Sequence, residues 1–380
     1  MNKIIVLGAG MVGRAIAIDL AKKYNVVSAD ICEESLKKLE KIENIETILS
    51  DLSEKENIKN LIKDADIVVS AVPGFMGFET LKTIIESSKD VVDIAFFTED
   101  ALQLDKLAKK HNVTAIMDCG VAPGMSNAIL GYHNAKMKVE DFEFYVGGLP
   151  QIRTLPFQYK APFSPIDVIE EYTRPARFVE NGKTVVKPAL SDTELIEFKD
   201  IGTLEAFNTD GLRSLIKTMD IPNMKEKTLR YPGYIDQIKL LRNYGFFQTE
   251  EVQIEGKKIR PIDLTSKLLI SKWKLEDDEP ELTVMKVIVS GIEDNKKVKY
   301  TYDLFDKFDT VTQTSSMART TGYSCTSAVE LVLSSDFAGK GLFPPEFLGA
   351  KDDCLKKMLA YQEDRNIFYK ISKVISAQVQ

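Results

Sequence analysis

Short apolar runs alternate with amphipathic segments over the first 125 residues of the chain. The runs are "KIIVLG", "NVVSAD", "IETILSD", "DIVVSAVP", "DVVDIAF" and "VTAIMDCG". They are rich in β-branched residues and nearly continuously apolar, as strands buried on both faces of a parallel sheet are. The segments between them, such as "MVGRAIAIDLAKKY" and "TEDALQLDKLAKKHN", place their apolar residues at helical spacing. The alternation predicts an α/β fold with a doubly wound parallel sheet, a Rossmann domain over residues 1–125.

The pattern changes after residue 125. "DFEFYVGGLP" predicts a strand ending in a glycine turn, and "MKVIVSGIEDNKKVKYTYDLFD" predicts a long hairpin with its turn at Asp294-Asn295. Helical segments such as "PGYIDQIKLLRNYGF" lie between them. We therefore expect an inserted α+β substrate domain over 126–325, with a largely antiparallel sheet. The segment "TGYSCTSAVELVLSSD" leads into a predicted C-terminal helical return, 326–380, that packs back on the Rossmann domain.

The composition of the chain argues against several classes of protein function. The chain has 380 residues, 44% of them hydrophobic, and a net charge of −7, which argues against nucleic-acid and membrane-surface binding. Its start does not resemble a signal peptide, and no apolar run approaches the roughly 18 residues of a membrane span. Four scattered cysteines and two histidines predict neither disulfides nor a metal site. We expect a cytoplasmic protein that acts on a small molecule and forms a homo-oligomer, with a dimer favoured.

A glycine motif follows the first predicted strand and opens a helix. It reads Gly8-Ala9-Gly10-Met11-Val12-Gly13, and an acid, Asp30, ends the second strand 22 residues after Gly8. Glycines at this spacing are a weak signal alone, but the strand, the helix and the acid complete a dinucleotide-binding fingerprint. Gly8 is expected to permit a tight turn, Gly10 to let the backbone approach a pyrophosphate, and Gly13 to let helix and strand pack closely.

The acid at the end of the second strand favours NAD over NADP. A carboxylate at Asp30 can accept hydrogen bonds from the ribose hydroxyls and repels a 2′-phosphate, and no arginine follows at positions 31–33. Asp51, after the third strand, is expected either to reach the adenine edge or to cap a helix. The loop after the fourth strand is expected to border the nicotinamide half through Ala71, Val72 and Pro73.

Two acids follow the fifth and sixth strands. Asp93 ends "DVVD" and Asp118 begins "DCGVAPGMSN". The carboxyl ends of parallel strands border the ligand crevice in open α/β sheets. We therefore expect both carboxylates on the cofactor's side, with the turn after Asp118 leading out to the second domain.

Several second-domain segments resemble a known family. "DCGVAPGMSN", "VGGLP", "EEYTRPA", "TLRYPGYIDQIKLLRNYGFF" and "MARTTGYSCTSAV" together resemble the saccharopine dehydrogenase-like family, and more closely its L-lysine 6-dehydrogenase branch. The resemblance implies a Rossmann domain, an inserted substrate domain, a C-terminal helix returning to the first domain, and nicotinamide-dependent oxidation at a carbon bearing nitrogen. Glutamate-forming saccharopine reductases typically carry an arginine after the second strand, so Asp30 and "GVAPG" favour the lysine-oxidising branch.

The reaction implied by this resemblance moves hydride from the carbon next to an amine of lysine, or a lysine-like amino acid, to NAD⁺. The imine is then hydrolysed to a semialdehyde that cyclises. The amine must be neutral before hydride leaves, so a carboxylate or a carboxylate-held water is the expected base, with Asp118 the first candidate and Asp93 the second. The alternative for each of the two acids is to cap a loop or a helix N-terminus. Glutamate-forming saccharopine dehydrogenase, a polyamine or other amino-acid dehydrogenase, and a non-catalytic NAD sensor stay open as alternatives.

A substrate carboxylate calls for a fork of hydrogen-bond donors, which arginine supplies best. Arg174 in "EEYTRPA" is the leading candidate, followed by Arg213 and Arg319. Each has the alternative of an ordinary ion pair with a nearby acid. Thr209 and Tyr159 are candidate hydroxyl donors to the same substrate.

Overall fold

The six predicted strands of the first domain all form. The computed structural model describes residues 1–162 and 165–378. Strands alternate with helices, and a short 3₁₀ turn at Ala101–Leu104 precedes α5. The elements are β1 (Lys3–Leu7), α1 (Met11–Ala21), β2 (Asn25–Asp30), α2 (Glu33–Lys37), β3 (Ile45–Leu49), α3 (Lys55–Ile62), β4 (Ile67–Ser70), α4 (Gly74–Glu86), β5 (Asp90–Asp93), α5 (Asp105–Lys110) and β6 (Thr114–Ile116).

These strands make one parallel, seven-stranded sheet. With β17 (Gly341–Phe343) at one edge, its order is β17-β6-β5-β4-β1-β2-β3. Every residue of β4 is buried, because helices cover both faces of the sheet, whereas β3 at the far edge alternates between half-buried and exposed positions. The continuous apolar runs thus have the burial expected for a doubly wound parallel sheet.

The second domain is built on a mixed, nine-stranded sheet. Its strand order is β10-β11-β12-β7-β15-β16-β18, in which β18 is Tyr369–Gln378, with β8 paired to β12 and β9 paired to β8. Among the described residues, its strand pairings are antiparallel except that of β12 with β7. The elements from the first sheet to the hairpin are α6 (Met125–Asn134), β7 (Lys138–Pro150), α7 (Pro165–Thr173), β8 (Ala176–Glu180), β9 (Lys183–Lys187), β10 (Glu194–Phe198), β11 (Gly202–Asn208), α8 (Leu215–Thr218), β12 (Asn223–Arg230), α9 (Tyr234–Asn243), β13 (Val252–Ile254), β14 (Lys257–Ile259), α10 (Pro261–Trp273), β15 (Glu281–Glu293) and β16 (Lys296–Lys307).

The predicted hairpin is confirmed as β15 and β16. Its two turn residues have positive φ, 49° at Asp294 and 60° at Asn295, the backbone that a two-residue turn between twisted strands requires. The predicted glycine turn in "VGGLP" was wrong, because β7 runs straight through Gly147 and Gly148. A Cβ on Gly147 would lie 2.8 Å from the Leu229 carbonyl oxygen, so this glycine serves close packing within the sheet.

The C-terminal part of the chain returns to both sheets. Helix α11 (Ser316–Leu333) packs on α1, and β17 then extends the first sheet. After α12 (Pro345–Ala350) and α13 (Cys354–Glu363), β18 (Tyr369–Gln378) pairs with β16 in the second sheet. The predicted helical return therefore also contains two strands, and the proposed boundary at 325 falls inside α11. A three-residue strand such as β17 carries no periodicity that a sequence pattern can reveal.

One buried carboxylate fastens this return to the first domain. Asp19 on α1 is 2% exposed. It accepts hydrogen bonds from Thr326 Oγ1 at 2.8 Å, Tyr361 Oη at 2.7 Å and Arg365 Nε at 2.8 Å. The Asp19 side chain thus links α1 to α11, to α13 and to Arg365, which lies just after α13.

Candidate active site

The glycine loop leaves an open space above its second glycine. A Cβ on Gly13 would lie 2.0 Å from the Gly8 carbonyl oxygen, and one on Gly8 would lie 2.5 Å from that of Ala71. A Cβ on Gly10 would meet nothing within 4 Å. The first and third glycines therefore permit contacts within the protein, while Gly10, before Met11 and Val12 at the start of α1, faces room for a ligand. This arrangement fits a pyrophosphate at the N-terminus of α1.

Asp30 holds the end of β2 against this loop. Its Oδ2 accepts a hydrogen bond from the Ala9 amide at 2.6 Å, and its Oδ1 accepts one from the Cys32 amide at 2.8 Å. The carboxylate is thus fixed beside the loop where a bound ribose would lie. Its contact with a ribose remains a prediction.

The other predicted cofactor contacts follow β3 and β4. Asp51 is exposed, and its Oδ1 accepts hydrogen bonds from the Ser53 hydroxyl and amide at 2.7 and 2.9 Å, which lower the pKa of Asp51. It therefore closes the turn before α3 and does not cap that helix, whose N-cap is Glu54. A contact of Asp51 with the adenine edge stays a prediction. Ala71 is anchored to β1 by donating its amide to the Leu7 carbonyl at 2.8 Å, and Val72 and Pro73 lead into α4.

Asp118 forms an ion pair with Arg213, a residue of the second domain. Asp118 is the second residue after β6, and its side chain is 1% exposed. Arg213 Nε donates to Asp118 Oδ2 at 2.8 Å, and Arg213 Nη1 donates to the Phe97 carbonyl at 2.7 Å. Arg213 therefore ties together the segments that follow β5 and β6. The other Asp118 oxygen, Oδ1, is buried without a hydrogen-bond partner in the described part of the chain.

Asp93 ends β5 and is fully buried. Neither of its carboxyl oxygens has a hydrogen-bond partner among the described residues. Burial, reinforced by the negative charge of Asp118, raises the pKa of Asp93 well above its usual range. The neighbouring Cys119 thiol is also buried, which raises its pKa and makes it a packing group. Burial thus favours the neutral, protonated form of Asp93, which lies close to a second carboxyl.

A cleft of about 100 Å³ lies between the carboxyl ends of β5 and β6 and one face of the second sheet. The first domain supplies Phe96 and the Ala122-Pro123 turn. Paired residues of β7 and β12 form the opposite wall, since Phe144 lies beside Glu226 and Val146 beside Thr228. The remaining lining residues come from α7 and the loop after β11: Glu170, Glu171, Arg174, Thr209, Asp210 and Gly211.

Two of the predicted arginines lie close to one aromatic ring, that of Phe96. The Arg213 guanidinium is 4.3 Å from the Phe96 ring centroid and that of Arg174 is 5.5 Å from it. Arg174 lines the cleft and pairs with Glu170 one helical turn earlier. The structure thus brings Arg174, Arg213, Asp118 and Thr209 to one region.

Glu226 is a lining residue that sequence reasoning missed. It lies on β12, is 2% exposed, and accepts hydrogen bonds from Thr209 Oγ1 at 2.7 Å and from the Gly211 amide at 3.0 Å. Burial raises its pKa to about 8. The alternating charges of "NMKEKTLR" are typical of a solvated edge strand. Nothing in the local sequence shows that this strand pairs with the apolar "DFEFYV", which would have indicated that Glu226 is buried.

Tyr159 and Arg319 lie away from the cleft lining. The Tyr159 ring packs 4.4 Å from the Arg230 guanidinium inside an aromatic core, and its hydroxyl accepts from Arg230 Nη2 at 3.3 Å. Arg319 pairs with Asp309 at 2.9 Å and Asp306 at 3.5 Å near the start of α11. The structure does not bring these two side chains to the other candidates.

Within residues 1–162 and 165–378, no helix is long and apolar enough to cross a membrane. Within the same ranges, no group of three or more His, Cys, Asp or Glu side chains is arranged to hold a metal ion.

Comparison with known proteins gives matches to both domains. The model of the saccharopine dehydrogenase NADP binding domain matches residues 4–116, and that of the saccharopine dehydrogenase C-terminal domain matches residues 120–367. Saccharopine dehydrogenase [NADP(+), L-glutamate-forming] of Pyricularia oryzae is 26% identical over 313 residues, 78% of this chain and 69% of that protein. The mitochondrial alpha-aminoadipic semialdehyde synthase of Mus musculus is 24% identical over 90% of this chain, which spans only 45% of its length. The apo saccharopine dehydrogenase (L-Glu forming) structure from Saccharomyces cerevisiae superposes with a TM-score of 0.78 at 20% identity, over 98% of this chain and 100% of that one.

Proposed function

This chain belongs to the saccharopine dehydrogenase family, and we propose that it oxidises the carbon next to an amine of lysine or a lysine-like amino acid, with a nicotinamide cofactor. The observation that carries the proposal is the cleft at the carboxyl ends of β5 and β6. Arg174, which is suited to bind a carboxylate, lines this cleft, and two buried acids, Asp93 and Asp118, lie at the adjoining strand ends without being among the lining residues. An amine oxidation needs both a hold on the substrate and a group that accepts a proton.

The proposed roles follow from what each side chain can still bind. Arg174 holds the substrate carboxylate, since its partner Glu170 leaves part of the guanidinium fork available. Asp118 receives the ammonium proton on Oδ1, directly or through a water, while Arg213 keeps Oδ2 in place. Asp93 is a second proton site behind it. When bound, the nicotinamide supplies the hydride acceptor, and the imine then takes up water to release ammonia and a semialdehyde.

We propose NAD as the preferred cofactor. Support comes from Asp30, whose carboxylate is fixed at the end of β2 by two backbone amides. A negative charge there is unfavourable to a 2′-phosphate, and positions 31–33 contain no arginine. The matched family model is described as NADP-binding, so titration of both cofactors is the direct test.

Glutamate-forming saccharopine dehydrogenase is the second candidate, favoured by the name of the fungal relative. Three of the four acids that line the cleft are paired with arginines, and the fourth, Glu226, forms no ion pair within the described residues, which suits an amine better than an additional carboxylate. A polyamine substrate is a variant of the first candidate. A cytoplasmic location and a homodimer remain predictions from the sequence.

A substrate screen tests the proposal. Purified protein is incubated with NAD⁺ or NADP⁺ and with lysine, ornithine, saccharopine or a small diamine, and reduced cofactor is followed by absorbance. The proposal expects turnover with lysine or a related amine and little with saccharopine. Turnover of saccharopine alone would establish the second candidate, and binding of cofactor without turnover of any amine would favour a sensor.

A further inference from the structure

The cleft contains one carboxyl group without a cationic partner. Four acids line it, and three of them form ion pairs with arginines: Glu170 with Arg174, Glu171 with Arg230 at 2.8 Å, and Asp210 with Arg177 at 2.8 Å. No lysine or arginine in the described part of the chain forms an ion pair with the fourth, Glu226. Glu226 is also the most deeply buried of the four.

The hydrogen bonds around Glu226 fix its carboxyl group in the cleft wall. Thr209 Oγ1 lies 2.8 and 2.7 Å from its two oxygens, and the Gly211 amide donates to Oε2 at 3.0 Å. The Thr228 hydroxyl lies 2.8 Å from that of Thr209, which holds the donor in place. Gly211 permits this approach, because a Cβ there would lie 2.5 Å from Glu226 Cδ. A carboxyl held this firmly is preorganised to accept from one further donor.

The position of Glu226 tells which end of a substrate it meets. It stands on the second-sheet wall, beside Phe144 of β7, whereas Phe96 and the Ala122-Pro123 turn form the wall at the first sheet. The carboxyl edge of the first sheet is where a nicotinamide would lie. A substrate spanning the cleft therefore presents its reacting carbon to the first sheet and its other end to Glu226.

We propose that Glu226 binds a primary ammonium group on the substrate, at the end away from the carbon that loses hydride. This inference rests on the proposed function and specifies its substrate class. An unpaired carboxylate is costly to bury, and an ammonium ion supplies both the missing charge and hydrogen-bond donors. Arg174 lines the same cleft, so the two side chains together suit the ammonium and carboxylate of an α-amino acid.

Proton release gives a separate readout. Burial raises the pKa of Glu226 to about 8, and the charges of Glu171 on α7 and Asp210 after β11 add to this effect. Arg174 on α7 is the cation that lines the same cleft. Near pH 7 the free carboxyl therefore holds a proton, which an incoming ammonium displaces. Binding enthalpies measured in two buffers of different ionisation enthalpy should reveal this released proton, and the Glu226→Gln variant should not show it.

Three substrates separate the contributions of the ammonium and the carboxylate. Lysine carries both at its far end, 1,5-diaminopentane lacks the carboxylate, and 6-aminohexanoate lacks the α-ammonium. Glu226→Gln keeps the size of the side chain and one acceptor oxygen for Thr209 and Gly211. The matched control is Glu143→Gln, a carboxylate on the neighbouring strand β7 that pairs with Lys225 at 2.7 Å and does not line the cleft.

The expected result is a selective loss. In Glu226→Gln, kcat/KM should fall about 10- to 100-fold for lysine and 1,5-diaminopentane, the usual range for a hydrogen bond to a charged group, and less than about 3-fold for 6-aminohexanoate. Glu143→Gln should leave all three near wild type. A loss with lysine but not with the diamine would restrict the site to α-amino acids and still support the inference. An equal loss for all three substrates would overturn it.

Calorimetric binding separates this inference from the proposed reaction. If no amine is oxidised, but lysine binds the cofactor-loaded protein at least about 10-fold more tightly than 6-aminohexanoate and Glu226→Gln removes the difference, the ammonium site stands and the reaction fails. If lysine is oxidised yet bound no better than 6-aminohexanoate, the reaction stands and the site fails. If neither ligand binds, both fail.

Discussion

Asp118 and Arg213, which lie 95 positions apart in the chain, meet in a nearly dry ion pair between the two domains. Arg213 Nε lies 2.8 Å from Asp118 Oδ2, and the two side chains are 8% and 1% exposed. Removing one partner of such a pair leaves the other charge buried and uncompensated. The acid proposed as the base is therefore also a structural link, and experiments on it must separate the two roles.

Replacing Asp118 by asparagine should reduce turnover much more than cofactor binding. Loss of a general base costs about 10²- to 10⁴-fold in kcat/KM, while loss of one partner of a buried pair costs about 3–5 kcal/mol in the free energy of unfolding. Urea unfolding and steady-state kinetics on the same preparation give both values. Arg213→Lys is the control, since it keeps the Asp118 carboxylate and changes only the hydrogen bonds of the Arg213 guanidinium. If Arg213→Lys loses as much activity as Asp118→Asn, Asp118 acts through structure.

Replacing Gly10 by valine should weaken cofactor binding with little effect on folding. The backbone at Gly10 has φ −64° and ψ −174°, which other residues adopt, and a Cβ there meets nothing within 4 Å of the protein. Gly13→Ala is the matched control, because its Cβ would lie 2.0 Å from the Gly8 carbonyl oxygen. Thermal melting with and without NAD should show a loss of ligand-induced stabilisation in Gly10→Val and a lower intrinsic Tm in Gly13→Ala. A normal NAD affinity in Gly10→Val would remove the pyrophosphate from this loop.

Replacing Asp30 by alanine together with Ile31→Arg should shift the cofactor preference toward NADP. The exchange removes the charge opposed to a 2′-phosphate and adds a bidentate donor beside it. Because Asp30 also accepts from the Ala9 amide, Asp30→Asn serves as a control that keeps an acceptor and loses only the charge. Fluorescence titration with NADH and NADPH measures the change. Tighter binding of NADPH than NADH by the unaltered protein would refute the NAD assignment.

His133 should make stability depend on pH in the acid range. It lies in α6 with Nε2 2.9 Å from the Tyr302 hydroxyl, and burial lowers its pKa to about 4. In the unfolded chain the pKa of His133 is about 6.5. Its contribution to the free energy of unfolding is therefore fully present above pH 6.5 and is lost as the pH falls toward 4, by at most about 3 kcal/mol. Urea unfolding from pH 7 to 4 should show a steeper decline for the unaltered protein than for His133→Gln. His111→Gln, the control, should retain the steep decline.

The first domain was the part of the fold that the sequence predicted best. Its central strands are buried on both faces and are therefore continuously apolar in the sequence. The glycine motif, with an acid at a fixed spacing after it, can also be recognised from the local sequence. The second sheet was predicted only as a class, because β12 with its neighbours β7 and β11 is specified by contacts between distant segments. The sequence "NMKEKTLR" predicts a polar, solvated strand, whereas in the structure its Glu226 lies beside Phe144 of β7.

The site was predicted in part for the same reason. Asp93 and Asp118 follow strands, so their place at the sheet edge could be inferred from local pattern. That Arg213 pairs with Asp118 depends on how the second domain folds over the first. That Tyr159 packs against Arg230 depends on contacts between distant segments of the second domain. No single-residue pattern distinguishes an arginine that faces a cleft from one that serves an internal ion pair, such as Arg319.

β17 belongs to the first sheet but comes after most of the second domain in the chain, and this order matters during biosynthesis. β6 gains this neighbour only after the ribosome has made nearly all of the second domain, so until then the nascent sheet ends in an unpaired edge. Unpaired edges recruit other strands and promote aggregation. A gene fragment that encodes only residues 1–125 would carry the same defect permanently. Biochemists who want the nucleotide-binding half by itself should therefore append the β17 segment through a linker instead of cutting the gene at the domain boundary.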